Sequence, residues 1–291
     1  MTRFPILLTN DDGINSPGLQ DLASSLHSLG HPIAILAPLT EQSAVGMKLT
    51  LRDDMAFEEH TDIAEKIRTD ESVPLRAFSL DGSPCDCVIV AIDGGLRSLA
   101  PEIRPWLCIS GINRGPNISI DVLHSGTVSA AREASLYGLP SLSVSLATYS
   151  HQDYSQSIEA TLALVERLSG LVTVEPSNIL RPEGSRTRPI EGTGPNSLRS
   201  WFMQGNMFLN LNIPEDWNGT FQTVPLGARW YHNATDMIDQ KSMGVAFEVG
   251  AARIIDEEIE MTDCHAIASG SASITPLQAG PRITRSESRN P

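Results

Sequence analysis

The chain has no long apolar run. Ile6–Leu8 is followed at once by acid, and the stretch around Val88–Ile92 is far shorter than the ~20 apolar residues that cross a bilayer. Neither a signal-peptide core nor a membrane span is therefore expected. Positive charge is also scarce: 21 Lys and Arg stand against 35 Asp and Glu, a formal net charge of -14. That excludes general electrostatic attraction to a nucleic-acid duplex or an anionic membrane, so any anionic ligand needs local help. Cysteine is limited to Cys85, Cys87, Cys108 and Cys264, with no CxxC pair and no disulfide ladder, so reduced thiols and a cytoplasmic location are expected. A Cys85/Cys87 redox pair is the lesser reading, because both fall where a buried helix start uses small apolar side chains. No internal repeat is visible.

What is present suits one large domain, or one domain with a smaller appendage: 291 residues, 41% of them hydrophobic, are enough to bury a full core. The first half alternates strands with helices. "FPILLT" is a short apolar strand; after Pro17, Leu19, Leu22, Ala23, Leu26 and Leu29 mark one helical face closed by Gly30; "PIAILA" is the second strand. Ser83 and Pro84 read as N-cap and first residue of a helix stopped by Gly94 and Gly95. "WLCISG" and "SLSVSL" are buried strands flanking a helix over Val128–Tyr137. Repeated strand, helix, strand order predicts an α/β fold with a parallel sheet covered on both faces.

Residues 1–175 are expected to form this core. Residues 176–205, rich in Pro, Gly, Ser and Arg and without a period, read as an exposed loop. "MFLNLNIP", "GARWYHN", "GVAFEVG" and "ASITPL" read as strands of a smaller β-rich C-terminal extension over 206–278, and 279–291 as a disordered tail.

In open α/β sheets ligands bind beyond the carboxyl ends of the strands. Three polar loops fall there: "TNDDGINS", "APLTEQSAVG" and "SGINRGPNISIDVLHSGTV". Read locally, Asn10-Asp11-Asp12-Gly13 is a surface turn. Its position, together with hydroxyls and amides in the other two loops, favours a site for a hard divalent cation such as Mg²⁺ or Mn²⁺, which takes oxygen ligands and would offset the Asp11/Asp12 repulsion. Gly111, Gly115 and Gly126 allow close backbone approach, and "HSGTV" leads into a helix N-terminus. Free amides and the helix dipole there favour phosphate, although a plain Ser/Thr N-cap reads the same way.

Together "LLTNDDGINSPGL", "APLTEQSAVGMKLTL", "SGINRGPNISIDVLHSGTVSAAREASLYGLPSLSVS", "LNLNIP" and "TDCHAIASGSASITPL" resemble the SurE survival-protein family of metal-dependent 5'-nucleotidases, in one chain order over most of residues 4–278. The resemblance implies a Rossmann-like fold and homodimers or homotetramers with exchanged C-terminal segments. It implies hydrolysis of nucleoside monophosphates, with 3'-phosphates and short polyphosphate as further substrates. It also implies one divalent metal ion, Mg²⁺ or Mn²⁺ with Co²⁺ as a further candidate, held by Asp11, Asp12, Ser43 and Asn113. Asn117, Ser125, Gly126 and Thr127 match positions that face the substrate phosphate, and Asn10 shapes the first loop.

The catalytic reading centres on Asp11 and Asp12: the metal activates water, a route favoured over direct attack by Asp11, because a metal-bound carboxylate is a poorer nucleophile. The chain departs from the family pattern at Ala44, where glycine is usual, in "VGMKLTL", in Ile118-Ser119-Ile120, which lacks a usual glycine, and at His124, which replaces a common Tyr. His124 is read as a packing or hydrogen-bonding substitution ahead of a proton donor. Two other classes stay open. One is a nucleotide- and metal-binding oligomeric scaffold with weak or no catalysis. The other is a Mn²⁺ sugar-nucleotide transferase, which the adjacent rather than Asp-x-Asp spacing disfavours.

Overall fold

The computed structural model describes residues 3–170, 196–240, 244–250 and 253–280. The chain opens with β1 (Ile6–Thr9), α1 (Pro17–Ser28), β2 (Ile33–Pro38), β3 (Phe57–Glu59), α2 (Thr61–Ile67) and β4 (Leu75–Leu80). There follow α3 (Pro84–Val90), α4 (Leu96–Leu99), β5 (Leu107–Arg114), α5 (Gly126–Leu136), β6 (Ser141–Leu146) and α6 (Ser155–Ser169). The C-terminal part holds α7 (Asn196–Met203), β7 (Met207–Ile213), β8 (Phe221–Thr223), β9 (Arg229–His232), β10 (Thr235–Gln240), β11 (Gly244–Val249), β12 (Arg253–Asp256), α8 (Asp263–Ala268) and β13 (Ala272–Gln278).

Nine strands form one sheet in the order β3-β4-β2-β1-β5-β6-β7-β13-β8. The run from β4 through β7 is parallel throughout. Side chains alternate between two cores: Ile6, Leu8 and Ile109 pack with Leu19, Leu22 and Leu26 of α1 and with α2 and α6, whereas Leu7 and Cys108 pack with α3, α4 and α5. Burial of both faces is why β1 and β2 are apolar at nearly every position. β6 obeys the same rule differently. Leu142, Val144 and Leu146 face the first core, and small Ser141, Ser143 and Ser145 fill the other side, all fully buried.

Local chemistry sets the helix ends. Pro17 and Pro84 start α1 and α3, where the missing N–H costs nothing. Ser83 and Asp86 form a reciprocal capping box on α3, with Asp86 N–H donating to Ser83 Oγ at 3.2 Å and Ser83 N–H to Asp86 Oδ2 at 2.8 Å. Asp86 also takes the Thr50 N–H at 3.0 Å, and Ser83 Oγ donates to Lys48 O at 2.6 Å, so the cap ties down the loop after β2. Burial pushes the Asp86 pKa up, but the hydrogen bonds from Ser83 and Thr50 outweigh it and hold the carboxyl below its ordinary range.

The structure corrects several expected boundaries. Gly94 and Gly95 do not stop the helix: Asp93 and Gly94 leave helical angles in a kinked turn, Ala91–Gly95, and the chain recoils into α4. Leu96 of α4 is buried in the second core, which gives the recoiled turn a packing reason to form. The expected loop over 176–205 ends in α7, because Trp201, Phe202 and Met203 reach the first core; its part over 176–195, with most of the Arg-rich stretch, lies outside the described residues. The β-rich extension divides: β7, β13 and β8 join the central sheet, whereas β10 pairs with β11 and β9 with β12 in separate antiparallel ladders. Ala279 is buried and its N–H bonds Asn206 O at 3.1 Å, so the expected tail lies outside the described residues from 281 onward. α2, α6, β3 and β4 add to the elements read from the sequence. The four cysteines are free and buried. Burial pushes Cys85 up to about 12 and Cys87 well above its ordinary value, so neither is a thiolate at neutral pH.

Ser83→Ala is expected to cost about 1–2 kcal/mol, the loss of a helix cap plus the Lys48 tether, measured by chemical denaturation. Because the folded Asp86 pKa is depressed, its contribution is present above the unfolded value and is lost as pH falls through the folded one. The gap between wild type and Asp86→Ala should therefore narrow in acid.

Candidate functional site

The sheet winds one way from β1 through β2 and β4 and the other way through β5, β6 and β7. The carboxyl ends of β1 and β5 flank this switch point, where neighbouring loops part and leave a crevice. The loop after β1 enters it as a tight turn. Asn10 Nδ2 donates to Gly13 O at 3.0 Å and Gly13 N–H to Asn10 Oδ1 at 3.1 Å. Gly13 takes φ 91°, which glycine adopts without strain.

The turn places Asp11 against the start of α5. Thr127 N–H donates to Asp11 Oδ2 at 2.8 Å and its hydroxyl donates to Oδ1. Gly126 is needed there, since a Cβ would stand 2.8 Å from Asp11 Cβ and 2.9 Å from its Oδ2. Ser125 caps the helix by accepting the Val128 N–H at 3.0 Å. Burial nevertheless raises the Asp11 pKa, and the Thr127 hydrogen bonds offset it only in part. Asp12 is pushed up to about 7, first by burial and then by the Asp11 charge, against a hydrogen bond from the Arg114 backbone. Its Oδ2 is buried with no hydrogen-bond partner. Two adjacent, desolvated carboxylates with an orphan acceptor fit a cation, which would favour both charged forms at once.

The second loop is laced to the other two. Gln42 N–H donates to Asp11 O at 2.7 Å and Gly46 N–H to His124 O at 2.8 Å. Ser43 Oγ donates to Glu41 Oε1 at 2.6 Å, and the Glu41 charge acts on both aspartates. Ala44 adopts φ 55°, so the left-handed conformation that suits glycine is kept at a strain of about 1 kcal/mol. His124 is exposed and serves the fold through its carbonyl rather than by side-chain packing.

In the third loop a register shift between Ser110 and Asn113 breaks the β5–β6 ladder. Bulges of this kind re-aim side chains near sites. Gly111 permits it, because a Cβ would lie 2.4 Å from Val144 O. Asn113 Nδ2 donates to Gly115 O at 2.9 Å, so this side chain offers a ligand only through Oδ1. Asn117 is buried and clamped: its N–H donates to Asn212 Oδ1 at 2.8 Å, its carbonyl accepts from Asn210 at 2.8 Å and Asn212 at 3.1 Å, and its Nδ2 donates to Ser145 Oγ at 2.9 Å. "LNLNIP" thus supplies two buried asparagines on β7 that hold the third loop to the sheet.

The far end of that loop is fixed to the C-terminal strands. Ser119, at φ 51°, donates its N–H to Asp263 Oδ2 at 2.8 Å and its hydroxyl to Gly227 O at 2.9 Å, and accepts the Arg229 N–H at 2.9 Å. Arg229 is buried between Asp121 at 3.0 Å and Asp256 at 2.7 Å. Burial alone would lower its pKa, but the two carboxylates raise it.

Asp11, Gly126 and Thr127 are therefore in contact, with Asp12 beside them. Asn113, near the end of β5, and Ser43 and Asn117, on the surrounding loops, are each bonded to a protein neighbour. Among the described residues no group of three or more His, Cys, Asp or Glu has metal-binding geometry, so any cation here would take two carboxylates and complete its shell with neutral oxygens. Glu41, Ser145, Asn210, Asn212, Asp121 and Arg229 escaped the sequence reading; two asparagines at period two inside an apolar strand were the available signal for the β7 pair.

Residues 6–235 match the family model described as survival protein SurE. The 5'-nucleotidase SurE of Synechococcus sp. (strain JA-3-3Ab) is 34% identical over 277 residues, covering 94% of this chain and 91% of that protein. The 5'-nucleotidase SurE of Syntrophotalea carbinolica is also 34% identical over 277 residues, covering 94% of this chain and 90% of that protein. The crystal structure of the SurE protein from Aquifex aeolicus superposes with a TM-score of 0.65 at 26% identity, covering 95% of this chain and 94% of that one.

Asn212→Leu removes the acceptor of the Asn117 N–H and one donor to its carbonyl. It is expected to cost about 1–3 kcal/mol, read as a shift in the denaturation midpoint.

Proposed function

The chain belongs to the SurE survival-protein family, and from that membership we propose that it is a 5'-nucleotidase, a divalent-metal-dependent phosphomonoesterase releasing nucleoside and phosphate from nucleoside monophosphates. The observation that carries the reading is the pair of buried Asp11 and half-buried Asp12, with the orphaned Asp12 Oδ2, beside the N-terminus of α5 at the switch point.

Asp11, Asp12, Ser43 and Asn113 would hold one Mg²⁺ or Mn²⁺, with Co²⁺ as a further candidate. When bound, the cation supplies charge neutralisation for the phosphoryl oxygens and acidity for a water. Thr127 holds Asp11 in place through both carboxylate oxygens. A carboxylate that holds the cation is a poorer nucleophile toward phosphorus, which disfavours covalent attack by Asp11. Water is thus the attacking group. Ser125, Gly126 and Thr127 set the positive end of the α5 dipole toward the phosphate, and Asn117, locked to β7, fixes the loop that passes over it.

The same chemistry extends to 3'-nucleotides and to the ends of short polyphosphate, since the site groups act on the phosphoryl group rather than on the base. We place the enzyme in the cytoplasm, where four free buried thiols stay reduced; no helix among the described residues is long and apolar enough to cross a membrane. The working form is a homodimer or homotetramer built with the segment over 206–278.

Phosphate release from 5'- and 3'-nucleoside monophosphates and short polyphosphate should require Mn²⁺, Mg²⁺ or Co²⁺ and stop with chelator. Asp11→Asn should lower kcat/KM by about a hundredfold or more. Thr127→Val, which removes the hydroxyl partner of Asp11 at a residue that also faces the phosphate, should lower it about 10–100-fold. Absence of turnover with every cation, from folded protein, would favour a binding scaffold instead.

A further inference from the structure

Tyr149 is 58% exposed, and among the described residues its ring belongs to none of the three hydrophobic clusters. It follows β6 by three residues, at the same carboxyl edge of the sheet as the switch-point crevice. The chain on either side of it is pinned. Thr148 Oγ1 and Ser150 Oγ both donate to Glu215 Oε2, at 3.1 and 2.9 Å, and His151 Nε2 lies 3.1 Å from Glu215 Oε1. An exposed aromatic on a fixed loop is a preorganised contact, because its presentation costs little further ordering on binding.

The ring rests on the third loop. A methyl group on Gly115 would fall 2.1 Å from Tyr149 Cε1 and 2.5 Å from Cζ, so glycine at that position is what admits the ring. Gly115 lies two residues from Asn113 and two from Asn117, each within about 7 Å of backbone. The tyrosine therefore stands at the rim of the metal and phosphate loop. Tyr231, 41% exposed with its hydroxyl donating to Asp121 Oδ1 at 2.6 Å, shares the surroundings of Asp121 and Arg229 with Tyr149. In a nucleotide a ribose separates phosphate from base, so a phosphate at the start of α5 leaves the base at the rim.

We propose that Tyr149 is a specificity-determining residue that stacks on the base of the bound nucleotide. The role rests on the nucleotidase reading for its substrate. A single phenol ring contacts any base through its π-face and gains most from the larger purines. It discriminates nucleotides from base-free phosphate esters without touching the reacting atoms.

The test compares wild type, Tyr149→Ala and Tyr149→Phe in the full chain with Mn²⁺. KM and kcat are measured for AMP and for ribose 5-phosphate, and Kd for adenosine, which carries the base but no ester. Tyr149→Ala should raise KM for AMP and Kd for adenosine about tenfold, with kcat held within about twofold and KM for ribose 5-phosphate unchanged. Tyr149→Phe should retain the wild-type values. Equal rises for AMP and ribose 5-phosphate, or unchanged AMP and adenosine values, would overturn the stacking role while leaving the nucleotidase intact. Wild-type protein that cleaves no ester but loses adenosine affinity in Tyr149→Ala would sink the nucleotidase reading and keep the stacking. Wild-type protein that does not bind adenosine overturns the stacking role whatever it hydrolyses.

Discussion

Asp11 is held at the start of α5 by both donors of Thr127, and this contact joins the two halves of the parallel sheet. β1 delivers the carboxylate from one side of the switch point; the loop after β5 delivers the helix from the other. The contact is favourable because a charged oxygen meets an unpaired amide and a positive dipole end. It leaves a residual strain, since burial raises both Asp11 and Asp12 toward the neutral form. A site with that imbalance is poised to take up positive charge.

Everything around the pair limits how far the loops can move. Gly126 and Gly111 leave out Cβ atoms that would block the close approach. Asn210 and Asn212, fully buried in β7, satisfy the backbone of Asn117. Ser119, Asp263 and Arg229 tie the far end of the same loop to the C-terminal strands. A buried polar network of this kind is stable only when every member is satisfied. The third loop is accordingly a rigid platform rather than a flexible flap, and its two ends answer to segments of the chain nearly a hundred residues or more away.

The departures from the family pattern fit within this frame. Ala44 and Ser119 both keep left-handed backbone angles without glycine. Ser119 offsets the strain with hydrogen bonds from its hydroxyl and its amide, whereas Ala44 has no side-chain polar group to do so. The loop path survives the substitution because its neighbours fix it: Gly46 is bonded to His124, and Gln42 to Asp11.

The sequence by itself determined the alternation of strands and helices in the first half, the two proline helix starts, and the meeting of three polar loops at one edge. These are legible because period, caps and turn residues act within a few positions. The Asp11-Asp12 pair was visible for the same reason. Only the tertiary structure decided what each polar group faces. That Asn210 and Asn212 serve Asn117, and that Arg229 lies between Asp121 and Asp256, depend on contacts across long separations. The recoil at Gly94, the helix Asn196–Met203 and the joining of β7, β8 and β13 to the main sheet belong here too. In each case burial against a distant element outweighed the local preference, and no window of neighbouring residues contains that energy.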